Sequence, residues 1–286
     1  MDASGANAPK GDRHSIQRVS ELIESVSDPA CLKSAVIELL EYRETVPDLA
    51  CYIWYSYGTI TVLLSQILSI YPLLTTGNLS TIDSHQVWAC LTLLQSVASH
   101  PDTKHEFIKA LMPVYLYPFL SIPAGNHKPN EFLRLTGLGI LGAMVSGEDP
   151  VVFNFLLESD VIPRCLEIMQ ICSELSKNVA TFIVLKVLLY DAGLAALFEV
   201  PEKFYAVVSV LHQMITSAGQ SISVRLFKHI LRFYLRLTEH PKGKQPLAKA
   251  LPACLLTALE TGYYDRVFAQ DPSVRELLER LIKAVA

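Results

Sequence analysis

The sequence predicts an all-α fold, a right-handed solenoid of about six three-helix repeats. Three observations carry this. Apolar residues recur at helical spacing through most of the chain. Short motifs recur along it. Residues that end helices punctuate it at comparable intervals.

The clearest repeat is PVVFNFLLESDVIPRCLEIMQICSELSKNVATFIVLKVLLYDAG, residues 150–193. It reads as a short helix at 151–158, a second at 161–170 with Pro163 near its first turn, and a long third at 174–190. Val179, Phe182, Ile183, Lys186 (by its aliphatic stem), Val187 and Tyr190 follow i, i+3, i+4 spacing, which predicts the buried face of the long helix. Gly193, just past its end, fits a position needing positive φ. Equivalent breaks fall at Pro47, Pro101, Pro150, Ala192 and Pro241, spaced by 54, 49, 42 and 49 residues. The motif His100-Pro101-Asp102-Thr103-Lys104 returns as His240-Pro241-Lys242-Gly243-Lys244. Armadillo and HEAT units run at roughly 40–47 residues, and three helices per unit favour armadillo.

Taken in order, residues 1–12 are small and polar and read as a disordered tail, leaving 13–286 as a single armadillo-repeat domain. Helices at 14–27 and 31–43 cap the start. Helices at 47–55 and 58–71 open the next unit, a loop spans 72–83, and 87–99 is its long helix. A Pro/Gly/Asn-rich loop at 121–130 interrupts the 101–147 unit, and a shorter one at 217–221 interrupts 193–239. The charged helix 272–286 suits a polar terminal cap.

The 286 residues carry a net charge of −4 and are 51% hydrophobic, with a mean hydropathy of +0.32. Each long apolar run is broken by polar residues, so helices sandwiched between neighbours explain the hydropathy better than membrane spans of roughly 20 clean apolar residues. Six cysteines with no C-x-x-C spacing read as free, mostly buried thiols of a reducing compartment. The N-terminus lacks the apolar core of a signal peptide, so the expected location is cytoplasmic and also nuclear.

The chemistry-bearing motifs are few. Gly137-Leu138-Gly139-Ile140-Leu141-Gly142 matches G-x-G-x-x-G but lies within a predicted helix with no preceding strand, so it holds no dinucleotide. Small residues there permit close approach by another helix or a peptide. Tyr52-Ile53-Trp54-Tyr55-Ser56-Tyr57 is either core or a partner patch. On VRLFKHILRFYLRL (224–237), Arg225, Lys228, His229, Arg232 and Arg236 fall on one stripe, open to an acidic peptide, a nucleic-acid backbone or plain solvent. Residues 222–249 hold seven Lys/Arg against Glu239 alone, a local +6 in a chain of −4, which leaves −10 elsewhere. His100 and His105 have no cysteine or carboxylate set for zinc, and His100 and His240 are read as junction residues. No serine elbow, P-loop, metal-ligand set or carboxylate pair appears, so no enzyme, metal or cofactor is expected.

The segments RETVPDLA (43–50), LLQSVASHPDTK (93–104), YLYPFL (115–120), FLRLTGLGILGA (132–143), SELSKNVATFI (173–183) and RLFKHILRFYLRL (225–237) closely resemble the cell differentiation, Rcd-one-like (Caf-forty) family over about residues 15–255. The resemblance implies a non-enzymatic armadillo adaptor of the CCR–NOT deadenylase complex, acting in mRNA deadenylation, decay and translational repression. It implies docking on the large Not scaffold subunit through Tyr55, Tyr57, Thr61 and Leu68, and capture of short helical motifs of mRNA regulators at Phe132, Gly139 and Val179. It also implies capture of tryptophan motifs of silencing proteins at Pro163, Leu175, Pro201, Lys203, Lys242 and Pro246. Of these, Pro201, Lys203, Lys242 and Pro246 replace a tyrosine, two arginines and an alanine of the family. Weak single-stranded nucleic-acid binding through Arg225, Lys228, Arg232 and Arg236 is the alternative, and a homodimer is expected of the free protein.

Overall fold

In the computed structural model, residues 13–76, 78–125 and 127–286 are described, and every regular element among them is helical. The expected tail, 1–12, lies outside the described residues. The chain divides into two units, 1–144 and 145–286.

In the first unit, α1 (Arg13–Ser25) and α2 (Leu32–Glu41) form the opening pair. Arg18 of α1 bonds Glu38 of α2 at 2.7 Å. Next come α3 (Leu49–Tyr55), α4 (Thr59–Ser69), the single turn α5 (Tyr71–Leu74) and the long α6 (Thr81–Ser99). The chain then runs through α7 (Pro101–Lys109), a 3-10 segment (Met112–Leu116), the turn α8 (Tyr117–Leu120) and the long α9 (Lys128–Met144). α6 is the centre of this unit. It packs on α2, α3, α4, α7 and α9, and buries Val87, Cys90, Leu91, Leu93, Leu94 and Val97. Each such aliphatic contributes roughly 1.5–3 kcal/mol by leaving water.

The second unit holds two three-helix sets, each opened by a short helix and closed by a long one. α10 (Pro150–Glu158), α11 (Val161–Ile171) and α12 (Glu174–Leu189) make the first set. α13 (Asp191–Glu199), α14 (Pro201–Ala218) and α15 (Val224–Glu239) make the second. α16 (Lys244–Ala250), two single turns α17 (Ala253–Leu256) and α18 (Ala258–Thr261), α19 (Asp265–Gln270) and α20 (Pro272–Val285) close the chain. α12 packs on α15 and α15 on α20, so three long helices lie side by side.

The junctions after α6, α12 and α15 share one geometry. His100, Tyr190 and His240 are single extended residues, at φ/ψ of −75/135, −73/126 and −79/135. At Tyr190 the chain turns by 96°. The Nδ1 of His100 accepts from the Asp102 N–H at 3.2 Å, and that of His240 from the Lys242 N–H at 3.3 Å, so both histidines serve the junction. Three residues past each junction the chain returns to the helix it has left. The Thr103 hydroxyl donates to the Val97 carbonyl at 2.7 Å, while Gly193 and Gly243 press on the carbonyls of Val187 and Leu237. A Cβ at either glycine would overlap that carbonyl oxygen. Gly193 therefore lies inside α13 and is required for close approach, not for positive φ.

Two further expectations are corrected. α6 begins at Thr81 and not at residue 87, because Ser80 caps it by accepting from the Asp83 N–H at 3.0 Å. Ser173 and Ser223 cap α12 and α15 in the same way. Only Cys90 and Cys165 of the six cysteines are buried, and Cys31 is exposed. Burial pushes the Cys90 and Cys165 thiols up to about 12.

Candidate functional site

Of the stripe read from sequence as the buried face of α12, Ile183 and Val187 are buried, but the rest belongs to its open face. Val179, Phe182 and Lys186 are half-buried, and Leu175 and Leu189 on the same stripe are exposed. The opposite sides bury Ala180, Ile183, Val184, Val187 and Leu188. Packing on two sides makes nearly every position of such a helix apolar, so periodicity alone does not distinguish the faces. Alongside runs the cationic stripe of α15. Together with α20 the two rows border a cleft of about 440 Å³, floored by Phe182, Leu185, Leu235 and Leu277 and edged by Lys186, Arg232 and Arg280.

The four basic residues singled out in α15 differ in what they are free to do. The Arg236 side chain is only 12% exposed. It donates to the Leu188 carbonyl at 2.8 Å and the Leu189 carbonyl at 3.2 Å, which caps the end of α12, and it pairs with Asp191 at 2.5 Å and with Glu239. Lys228 bonds Asp271, the cap of α20, at 2.7 Å. That lysine, with the Ser273 hydroxyl, holds the Asp271 carboxyl down at about 2. Arg225 and Arg232 are exposed. Between them the half-buried His229 packs its ring edge-on against Phe182, and burial plus the two arginines push its pKa below the usual histidine value.

In the first unit the open face of α6 and α9 carries no such continuous stripe, though Arg43 donates to the Ser96 hydroxyl on it at 3.0 Å. His85, Trp88 and Phe132 form a contiguous aromatic group with ring centroids 5.6–6.2 Å apart. Further along, the Gln95 side-chain amide donates to the Gly139 carbonyl at 3.1 Å. A Cβ at Gly139 would sit 3.6 Å from that amide, and one at Gly142 would meet nothing within 4 Å. Packing within the chain therefore does not require these two glycines. Arg134, 1% exposed, points the other way, pairs with Glu131 and holds the carbonyls of Ile122 and Pro123.

Two more surfaces take the remaining site residues. Around the α3–α4 turn, Tyr55 is 65% exposed, Tyr57 fully so and Leu68 41%. Gly58, at φ +79, makes the turn that leaves Tyr57 projecting. Thr61, Leu64, Ser65, Leu68 and Ser69 of α4 line a shallow recess of about 530 Å³. Trp54 packs on Phe107, so the aromatic run is part core and part surface. In the second unit a cavity of about 490 Å³ opens among α11, α12, α13 and α14, lined mostly by aliphatic carbons with Pro163 and Lys203 at its wall. Pro201 and Lys242 are exposed and Pro246 is half-buried, none of them lining the cavity, and Leu175 belongs to the open stripe of α12.

A model of the cell differentiation family, Rcd1-like, matches residues 22–285. The chain belongs to that family. The match extends well past residue 255, where the likeness seen in the sequence faded. Cell differentiation protein rcd1 of Schizosaccharomyces pombe is 43% identical over 250 residues, 87% of each chain. Protein CAF40 of Saccharomyces cerevisiae is 42% identical over 251 residues, 87% of this chain and 66% of that one. Among solved structures, a designed armadillo repeat protein in complex with the peptide (KR)4 superposes with a TM-score of 0.62 at 12% identity, covering 94% of this chain and 99% of that one. An engineered protein superposes at 0.61 with 15% identity, covering 93% and 96%. The Rcd1-like chain is an all-α armadillo-repeat protein.

One grouping in this Rcd1-like chain was not foreseen. Cys51 of α3 places its sulfur 3.8 Å from His100 Nδ1, with the Asp102 carboxylate close by and Asp48 3.9 Å from Nε2. Burial, Asp102 and Asp48 raise the Cys51 thiol. The Nδ1 lone pair already accepts the Asp102 N–H, so the group reads as part of the junction. The separation of 49 positions between Cys51 and His100 hid it from spacing rules.

Proposed function

We propose that this chain is a non-catalytic adaptor subunit of the CCR–NOT deadenylase complex, docking on the large Not scaffold subunit and presenting its other faces to regulators of mRNA decay and translation. The observation that carries the reading is the exposure of Tyr55, Tyr57 and Leu68 beside the α4 recess, in a member of the Rcd1-like family. Aromatics in such number on one turn are typical of interface centres. The open α9 face supports a second role. Phe132 and Gly139 lie seven residues apart on it, and Gly139 costs helix stability that no internal packing requires. Val179 occupies the equivalent open face of α12. Short helical motifs of regulators fit these positions. The aliphatic cavity beside Pro163 and Lys203 supports capture of a tryptophan side chain there. Action on mRNA would place the protein in the cytoplasm, in P-bodies and in the nucleus.

Calorimetry of the full chain against a helical-bundle fragment of the Not scaffold tests the reading, with Tyr55→Ala/Tyr57→Ala as control. The expected result is tight binding that the control loses by tenfold or more. No binding by the folded wild type would overturn it. A second reading, single-stranded nucleic-acid binding, draws on the exposed Arg225 and Arg232 alone, since Lys228 and Arg236 are bonded within the chain.

A further inference from the structure

We infer that the cleft bordered by α12, α15 and α20 is a docking site for an amphipathic helix with an apolar stripe and an acidic flank, an inference resting on the reading of this chain as an adaptor for helical motifs. The cleft sets an apolar row beside a cationic one. Leu175, Val179, Phe182 and Leu189 make a ridge along one helix, with Leu175 56% and Leu189 53% exposed, a pattern that water does not favour and a partner helix covers.

The cationic row specifies the flank. Lys186, Arg232 and Arg280 edge the cleft, and no ion pair to any of them is found among the described residues. The one carboxylate on the lining, Glu239, is bonded to Arg236. His229 stays neutral near pH 7 because burial and the neighbouring arginines disfavour its charge, so it neither adds to the field nor offsets it. Three cations border one apolar cleft, Lys186 with its ammonium 6.0 Å from the Phe182 ring centroid, and carboxylates brought by a partner complement them. A nucleic-acid strand would meet largely aliphatic walls, with only the half-buried Phe182 and His229, packed against each other, for stacking.

Selection from a displayed library of helical peptides on the purified full chain tests this, with Arg232→Gln/Arg280→Gln and Gly139→Trp proteins screened in parallel. The expected winners carry Leu or Phe at i, i+3/i+4 with Asp or Glu alongside. They should bind the double-glutamine protein at least about tenfold more weakly, and lose affinity as salt rises. Winners that are neutral or basic, or whose binding is indifferent to Arg232→Gln/Arg280→Gln, would overturn the inference. So would acidic winners that a single-stranded oligothymidine displaces at lower concentration than the peptide itself. Both arginines are exposed, so an unchanged circular dichroism melt is the fold check. The adaptor reading fails separately, through loss of scaffold binding, and peptides sensitive to Gly139→Trp alone belong to the α9 face.

Discussion

The open faces of the long helices differ sharply between the two units. On α6 and α9 the face carries no continuous cationic row, with His85, Trp88 and Phe132 at one end, glycines at the other, and Arg43 bonded to Ser96. On α12, α15 and α20 an apolar row lies beside a cationic one. Long helices of the same kind, with α6, α12 and α15 sharing a serine cap and an extended junction residue, thus present two chemistries. The difference arises at positions the fold leaves free. Where an arginine serves the fold, as Arg134 does in one unit and Arg236 in the other, it points away from these faces or is bonded at their edge. Burial, more than residue type, separates structural arginines from those available to a partner.

The largest effect that would break this division is at Arg134. Arg134→Leu strands the carbonyls of Ile122 and Pro123 and leaves Glu131 unpaired, and should cost about 3 kcal/mol by urea unfolding. A cost near zero would mean the backbone at Ile122 and Pro123 needs no anchor. In the second unit Gly193→Ala and Gly243→Ala force a shift of backbone against backbone and should each cost about 1–3 kcal/mol. Arg236→Gln should cost about 1–2 kcal/mol through the carbonyls it caps, whereas Arg232→Gln stays within about 0.5 kcal/mol. Equal losses at 232 and 236 would erase the distinction. Gly139→Ala has the opposite sign. With room for the Cβ, it should raise stability by about 0.5–1 kcal/mol in the same denaturation, and Gly139→Trp should leave the melt nearly unchanged while abolishing regulator-peptide binding.

Acid sharpens the contrast further. His229 has a folded pKa below 6.5, so the unfolded chain binds its proton first and stability falls as pH drops below that value. Asp271 has a folded pKa of about 2 against an ordinary 3.8. Its contribution is present above the ordinary value and is lost between there and about 2. Both groups belong to the second unit. Hydrogen exchange followed from pH 7 to 2 should therefore show α15 and α20 losing protection as these groups protonate, and His229→Phe should remove the upper part of that dependence.

Much of the architecture was legible in the residues. Pro47, Pro101, Pro150 and Pro241 marked the repeats because a ring without an N–H is tolerated only at a helix start or outside a helix. The helices 150–158, 161–171 and 174–189 lie within a residue or two of where their apolar spacing put them. The sequence by itself determined the all-α class, the repeat length, the junctions at His100 and His240 and the cationic character of α15, because these depend on periodicity, proline and charge, which are local. Only the tertiary structure decided which stripe of α12 faces outward, which arginines of α15 are already bonded, and why Gly193 cannot carry a side chain. Each of those depends on a neighbour distant in sequence: a carbonyl one turn beyond a sharp junction, a carboxylate on the next helix, or a packed helix that makes every face of its partner apolar.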